Sequence, residues 1–254
     1  MDSILILTKL FFQNIIRDKF FTFLIVIGFL FGLFSILLNE ISYGATELVV
    51  RSFSLGFLSL TMNFLGIFFG VNIISSENMK NSIILLICKP IRKYEIIISA
   101  VLAFLVSVLI AVIIIFLEFY FIFNLYGLSI GIQISFGIIG IVFECMTLFI
   151  LSMLLRNFLS PLITIVFIVS TYIFSHSVKG LLELNFIQGR NGLKAVISFF
   201  QSFLPDLTYF DFKHLVYHTN EYTTHVANGS LYFTVSFSFL VLFVSYIFSK
   251  RDFE

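Results

Sequence analysis

Residues 96–123 contain a single charged side chain, Glu118, and residues 130–155 contain a single one, Glu144. At about 1.5 Å of rise per residue, about 20 apolar residues in a helix cross a bilayer core of about 30 Å. Two such runs follow each other, parted by the turn-prone Asn124-Leu125-Tyr126-Gly127. A tight hairpin at one membrane face is the simplest solution.

Four more runs read the same way, at 20–38, 54–75, 158–178 and 230–248. The expected fold is therefore an all-α integral membrane protein with six transmembrane helices in one domain, 1–254. A composition of 59% hydrophobic against 11% charged residues places the chain outside the soluble class. A transmembrane barrel would need alternating apolar and polar positions, which these runs lack. A net charge of +1 gives no reason to expect a nucleic-acid partner.

Residues 1–19 place Ile4, Leu7, Phe11 and Ile15 on one helical face, with Lys9, Gln13 and Arg17 elsewhere. This suits an interfacial helix ahead of the first span. The run that follows lacks a small-residue cleavage site and is long enough to cross, so it reads as retained rather than as a signal peptide.

Orientation follows from Lys and Arg, which stay on the cytoplasmic side near span ends. With six spans, Lys9, Arg17, Lys19, Lys80, Lys89, Arg92, Lys93, Arg156, Lys250 and Arg251 share one side. Arg51, Lys179, Arg190, Lys194 and Lys213 fall on the other. The expectation is a multi-pass protein of the cell (inner, cytoplasmic) membrane with both termini in the cytoplasm. The one sizeable extramembrane piece is then external, 179–229, where residues 193–205 are apolar enough to lie on or dip into the outer leaflet and Pro205 ends them.

Cys88 and Cys145 have no CxxC spacing and fall where a structural disulfide is not expected. The 36 phenylalanines, with no tryptophan, admit an aromatic substrate path or plain packing and lipid contact.

No nucleotide-binding or hydrolytic motif is present: GxxxxGK[ST], HExxH and GxSxG are all missing. Any energy coupling would come from a partner. Carboxylates inside spans are functional candidates because membrane burial of charge is unfavourable. Glu118 lies 22 residues beyond Ile96, about 33 Å along a helix, near the outer interface where it could face water. Glu144 lies 14 residues into its run, about 21 Å deep, and should face a protein interior or cavity. Its two readings are a helix-to-helix hydrogen bond and a substrate or proton role.

His176, His214, His218 and His225 all fall near or within the external segment. His214 and His218 stand at i, i+4, a spacing that puts two imidazoles on one helical face as candidate metal ligands, with Asp211 near. Without a clear third ligand, they read first as ordinary interfacial histidines.

The stretch "SSENMKNSIILLICKPIRKYEI" from Ser75 to Ile96 interrupts the apolar pattern on the cytoplasmic side. A short helix over 77–88 would offer Ile83, Ile84, Leu86 and Ile87 to an interface or a groove before Lys89 and Pro90 end it. Lipid anchoring alone would also explain its charge.

This stretch resembles the cytoplasmic segment between the second and third spans of type-2 ABC transporter permeases. There an acidic residue, a turn, a Leu pair, a proline and a basic residue recur in order, matched here by Glu77, Leu85, Leu86, Pro90, Arg92 and Glu95. "NIIRDKFF" (14–21), "LSMLLRN" (151–157) and "FSKRDF" (248–253) are also similar to that family. Within it, the nearest likeness is to the permease component associated with multicopper-enzyme maturation, of the nitrous oxide reductase copper-processing type. Lys80 to Ser82 stand where a glycine-containing turn is usual, and Ser99 and Ala100 where a Gly-Lys pair is common.

The resemblance implies a non-enzymatic half-transporter, paired with a second permease copy and with two ATPase subunits that hold ATP and Mg. This chain itself would bind no cofactor. Glu77, Lys80, Ile83, Leu85, Leu86, Pro90 and Arg92 would contact the ATPase, and a periplasmic or extracellular protein is a further expected partner. Export of a hydrophobic solute and transmission of force to an external protein both fit. Two other classes stay open from the residues alone. One is an intramembrane enzyme built on Glu144 and an external histidine; the other is an ATP-independent channel or secondary transporter, for which Gly137 and Gly140 could mark a broken helix.

Overall fold

The opening residues form helix α1, Asp2–Arg17, because its apolar positions recur every fourth residue. Leu7, Phe11 and Ile15 are buried, while Leu5 and Ile6 on the opposite side are 67% and 58% exposed. Asp18 then ends α1 and starts α2, Lys19–Ile41, its carboxylate accepting from the Phe20 backbone N–H at 2.8 Å. The amphipathic face read from sequence is the face that packs.

The chain is seen here in a computed structural model, which describes residues 2–41, 46–73, 92–125, 132–183, 205–212 and 222–250, with Gly192, Ala195, Ile197 and Phe199. After α2 come α3 (Thr46–Asn72), α4 (Lys93–Leu125), α5 (Ile132–Arg156) and α6 (Pro161–Glu183). A single 3-10 turn (Leu207–Phe210) and α7 (Tyr222–Lys250) complete the described elements. All are helical. Five helical stretches are long and apolar enough to cross a membrane: Arg51–Asn72, Lys93–Leu125, Ile134–Arg156, Pro161–Val178 and Thr224–Lys250. The apolar part of α2 runs over Lys19–Phe34.

The centre of the bundle is the pair α3 and α5, which pack on each other more extensively than any other two elements. Gly66 and Gly70, one helical turn apart, make this approach feasible. A Cβ at Gly66 would stand 2.6 Å from the Cys145 carbonyl, and one at Gly70 would meet the Phe149 carbonyl and lie 2.6 Å from Cβ of Ser152. Small residues spaced by four are how helices reach van der Waals contact in lipid, where the hydrophobic effect supplies no drive between them. Phe104 of α4 stacks on Phe149 of α5 at 4.0 Å, and Phe143 of α5 on Phe233 of α7 at 4.1 Å. Much of the phenylalanine content is thus spent on packing between helices.

Several helix ends gather at one end of the bundle. Lys93 at the start of α4 donates to the Ser249 carbonyl near the end of α7 at 3.1 Å. Phe20 at the start of α2 stacks on Phe68 near the end of α3 at 3.6 Å. α1 lies along α4, where Ser3 donates to Glu95 at 3.0 Å and Ser99 donates to the Ile4 carbonyl at 3.2 Å. The turn from α5 to α6 is closed by Arg156, which donates to the Leu159 carbonyl at 2.9 Å, and Pro161 starts α6 where a missing N–H is tolerated.

Several expectations change. Helix α3 runs from Thr46, ahead of the apolar run read at 54–75, so Arg51 is a helical residue. Helix α7 begins at Tyr222 rather than near Ser230, and α6 continues to Glu183. Gly137 and Gly140 do not break α5, which is continuous through both. The expected coupling helix 77–88 lies outside the described residues.

Candidate functional site in the helix bundle

Glu144 sits midway along α5 and is 1% exposed. Helix α6 runs back along α5 from the Arg156 turn, and this antiparallel register brings His176 level with it. Nε2 of His176 stands 3.2 Å from Oε1 of Glu144, with the histidine side chain 23% exposed. Across the gap α3 contributes Ser59, whose hydroxyl donates to Oε2 of Glu144 at 3.5 Å. One turn further, Asn63 donates from Nδ2 to Oγ of Ser59 at 3.4 Å.

Tyr172, one turn before His176, brings its hydroxyl within reach of Ser59 and Asn63, with Glu144 and Asp211 near enough to act on it electrostatically. Its ring packs beside the imidazole, 4.7 Å between centroids. Five polar side chains from three helices therefore meet in the interior. The neighbouring Cys145 is not part of the group, since its thiol points to the Met62 carbonyl at 3.0 Å.

The chain after Pro205 packs against the helices that carry this cluster. Leu207, Phe210 and Phe212 are all buried between α5, α6 and α7. Two backbone N–H groups of this turn are tied to helix side chains: Asp206 donates to the Tyr232 hydroxyl and Leu207 to the Ser175 hydroxyl, both at 2.9 Å. Asp206 caps the turn, accepting from the Thr208 N–H at 3.0 Å. Gly140 and Gly229 supply the room. A side chain at Gly140 would strike the Phe210 carbonyl and the Phe212 ring, and one at Gly229 would lie 2.5 Å from that ring.

Glu118 is the second intramembrane carboxylate, and it does not face water. It is 7% exposed and lies against Gly32 of α2, so a Cβ at position 32 would collide with its carboxylate. Neither oxygen has a hydrogen-bond partner among the described residues. Glu118 and Glu144 are held on different helix contacts, α2 with α4 and α3 with α5 and α6.

Arg92 is exposed just before α4 and donates to the Tyr94 hydroxyl at 3.2 Å, a contact that holds its pKa above the ordinary guanidinium value. Glu77, Lys80, Ile83, Leu85, Leu86 and Pro90, together with His214 and His218, lie outside the described residues. Among the described residues no three His, Cys, Asp or Glu side chains gather as metal ligands.

Sequence reading singled out Glu144 but grouped His176 with the external histidines. The available signal was distance from the turn. Glu144 lies 12 residues before Arg156 and His176 lies 15 after Pro161, so both stand about 18–22 Å from the same hairpin. Ser59 and Asn63 carried no such signal. No protein-family model matches the chain, and a search of curated proteins returns no match.

Proposed function

We propose that the chain is the transmembrane subunit of an ATP-binding cassette exporter of the type-2 permease kind, working as a half-transporter with a second copy of itself and two ATPase subunits. α2 would be the sixth span, with both termini on the cytoplasmic side of the cell membrane. The observation that carries this reading is where the interrupting stretch attaches. Residues 74–91 join the end of α3 to the start of α4, at the end of the bundle where α1, Arg92, Lys93, Arg156 and Lys250 also lie. Positive residues favour the cytoplasmic side, and the short helix read from the sequence over 77–88 would there be open to a motor.

In this mechanism, closure of the ATPase dimer around ATP and Mg moves the 77–88 helix, and α3 and α4 carry the displacement into the bundle. Glu77, Lys80, Ile83, Leu85, Leu86 and Pro90 would form the contact, with Arg92 at its margin. The cargo is a hydrophobic solute, or else the movement is delivered to an external protein. The finer likeness to a multicopper-enzyme maturation permease supports the second.

The test is Glu77→Lys in cells that also express the ATPase encoded with this chain. Association with the ATPase should be lost while membrane insertion is unchanged. Full association in the variant, or the lack of any co-purifying ATPase, overturns the reading. The buried pair Glu144 and His176 favours a second reading, in which the chain works without ATP as a secondary transporter or an intramembrane enzyme. That reading expects activity from the purified chain alone, abolished by Glu144→Gln.

A further inference from the structure

The hydrogen-bonding of His176 constrains where its hydrogens are. Nδ1 lies 3.2 Å from the backbone carbonyl of Tyr172, one turn earlier on α6. A carbonyl oxygen accepts and never donates, so Nδ1 carries a hydrogen in this contact. In a neutral imidazole Nε2 is then a bare lone pair. Yet Nε2 is the atom 3.2 Å from Oε1 of Glu144, and it has no other hydrogen-bond partner among the described residues. A lone pair facing a carboxylate oxygen at that distance repels it. The contact becomes attractive when one hydrogen lies between the two atoms, on either of them.

We propose that Glu144 and His176 together hold one exchangeable proton in the interior of the bundle. The step is proton uptake and release alone: water delivers the proton, the pair gains one unit of charge, and no covalent bond to carbon or change of oxidation state is involved. His176, with its side chain 23% exposed, is the member that water can reach, and Glu144 at 1% is not.

The surroundings suit a proton better than a larger cation. Ser59 donates to the other carboxylate oxygen at 3.5 Å, and Tyr172 flanks the ring. Among the described residues, the other titratable groups close by include Asp211, which acts on Tyr172, and the adjacent Cys145, whose thiol is turned to a carbonyl. The 3-10 turn is tied to the same helix, its Leu207 N–H bonded to Ser175, the residue before His176.

This inference does not depend on an ATPase partner, so its failure and the failure of the transporter reading are separately visible. The experiment is 15N-histidine NMR of the purified full chain in detergent micelles, with the His176 signals identified by their loss in His176→Gln. In the wild-type chain Nδ1 should be protonated at every pH, and Nε2 should carry or share a proton that it loses in one step as the pH rises. Glu144→Gln should remove that step. A neutral His176 ring protonated on Nε2 overturns the proposal in the wild-type chain, with no variant required. A step that persists unaltered in Glu144→Gln overturns it as well.

Discussion

The backbone carbonyl of Cys145 lies 2.6 Å from where the side chain of any residue other than glycine would begin at position 66. Position 56, on the same helix, has no atom within 4 Å of an added Cβ. These two glycines should respond oppositely to one methyl group. Gly66→Ala forces α3 away from α5 and should destabilise the bundle by about 1–3 kcal/mol, the usual range for overpacking. Gly56→Ala should be neutral or stabilising by up to about 1 kcal/mol, since alanine is the better helix former. Reversible unfolding in mixed micelles measures both, and equal effects would mean that the close approach does not govern stability.

Glu118 presents a different kind of imbalance. Its carboxyl is buried against Gly32 and both oxygens lack hydrogen-bond partners among the described residues, a state that ordinarily costs about 1–3 kcal/mol. Glu118→Met keeps the length and flexibility of the side chain and removes the polar group. Thermal unfolding of the purified chain should shift upward. If the chain's activity falls while stability rises, Glu118 is retained for function at the expense of the fold. A less stable variant would point to a partner that supports the carboxyl.

The 3-10 turn after Pro205 is held by two acceptors that can be removed without changing its own sequence. Ser175→Ala leaves the buried Leu207 N–H without its acceptor, and Tyr232→Phe does the same to Asp206. Each loss should weaken the turn by about 1–3 kcal/mol, which raises local opening on the order of tenfold or more. Amide hydrogen exchange at Asp206 and Leu207 should accelerate accordingly, while Ile141 in α5 stays protected. Faster exchange throughout the bundle would instead assign Ser175 and Tyr232 to global stability.

The parts of this fold that sequence revealed are those set by local periodicity. Leu7, Phe11 and Ile15 recur at the helical repeat, and the same three are buried in α1. Helix ends were less legible, because hydropathy marks where the apolar core of a span begins and not where the helix begins. Arg51 illustrates the point: it precedes the apolar run read at 54–75, yet the helix already runs through it from Thr46. The burial of Phe210 and Phe212 could not be read locally at all, since it depends on space left by Gly140 and Gly229 on two other helices. The pairing of Glu144 with His176 falls between these cases. Both positions could be measured from the Arg156 turn, but the face that each presents is fixed by packing of α5 against α3 and α6.

α1 is held to the bundle by a small set of contacts whose removal should be separable from membrane insertion. Phe11 is fully buried, and Ser99 donates to the Ile4 carbonyl from the middle of that contact. Removing the Phe11 ring should cost about 3–5 kcal/mol of core packing, whereas Ser99→Ala removes one hydrogen bond worth about 1 kcal/mol. The exposed Leu5 and Ile6 would still seek lipid, so α1 should remain on the membrane in both variants. Phe11→Ala should therefore release α1 from α4 without releasing it from the bilayer. A cross-link between cysteines placed at Ser3 and Glu95, which are hydrogen-bonded at 3.0 Å, reads the contact directly. It should form readily in the otherwise wild-type chain, a little less in Ser99→Ala and far less in Phe11→Ala. Undiminished cross-linking in Phe11→Ala would mean that lipid, and not the packed aromatic ring, positions the helix.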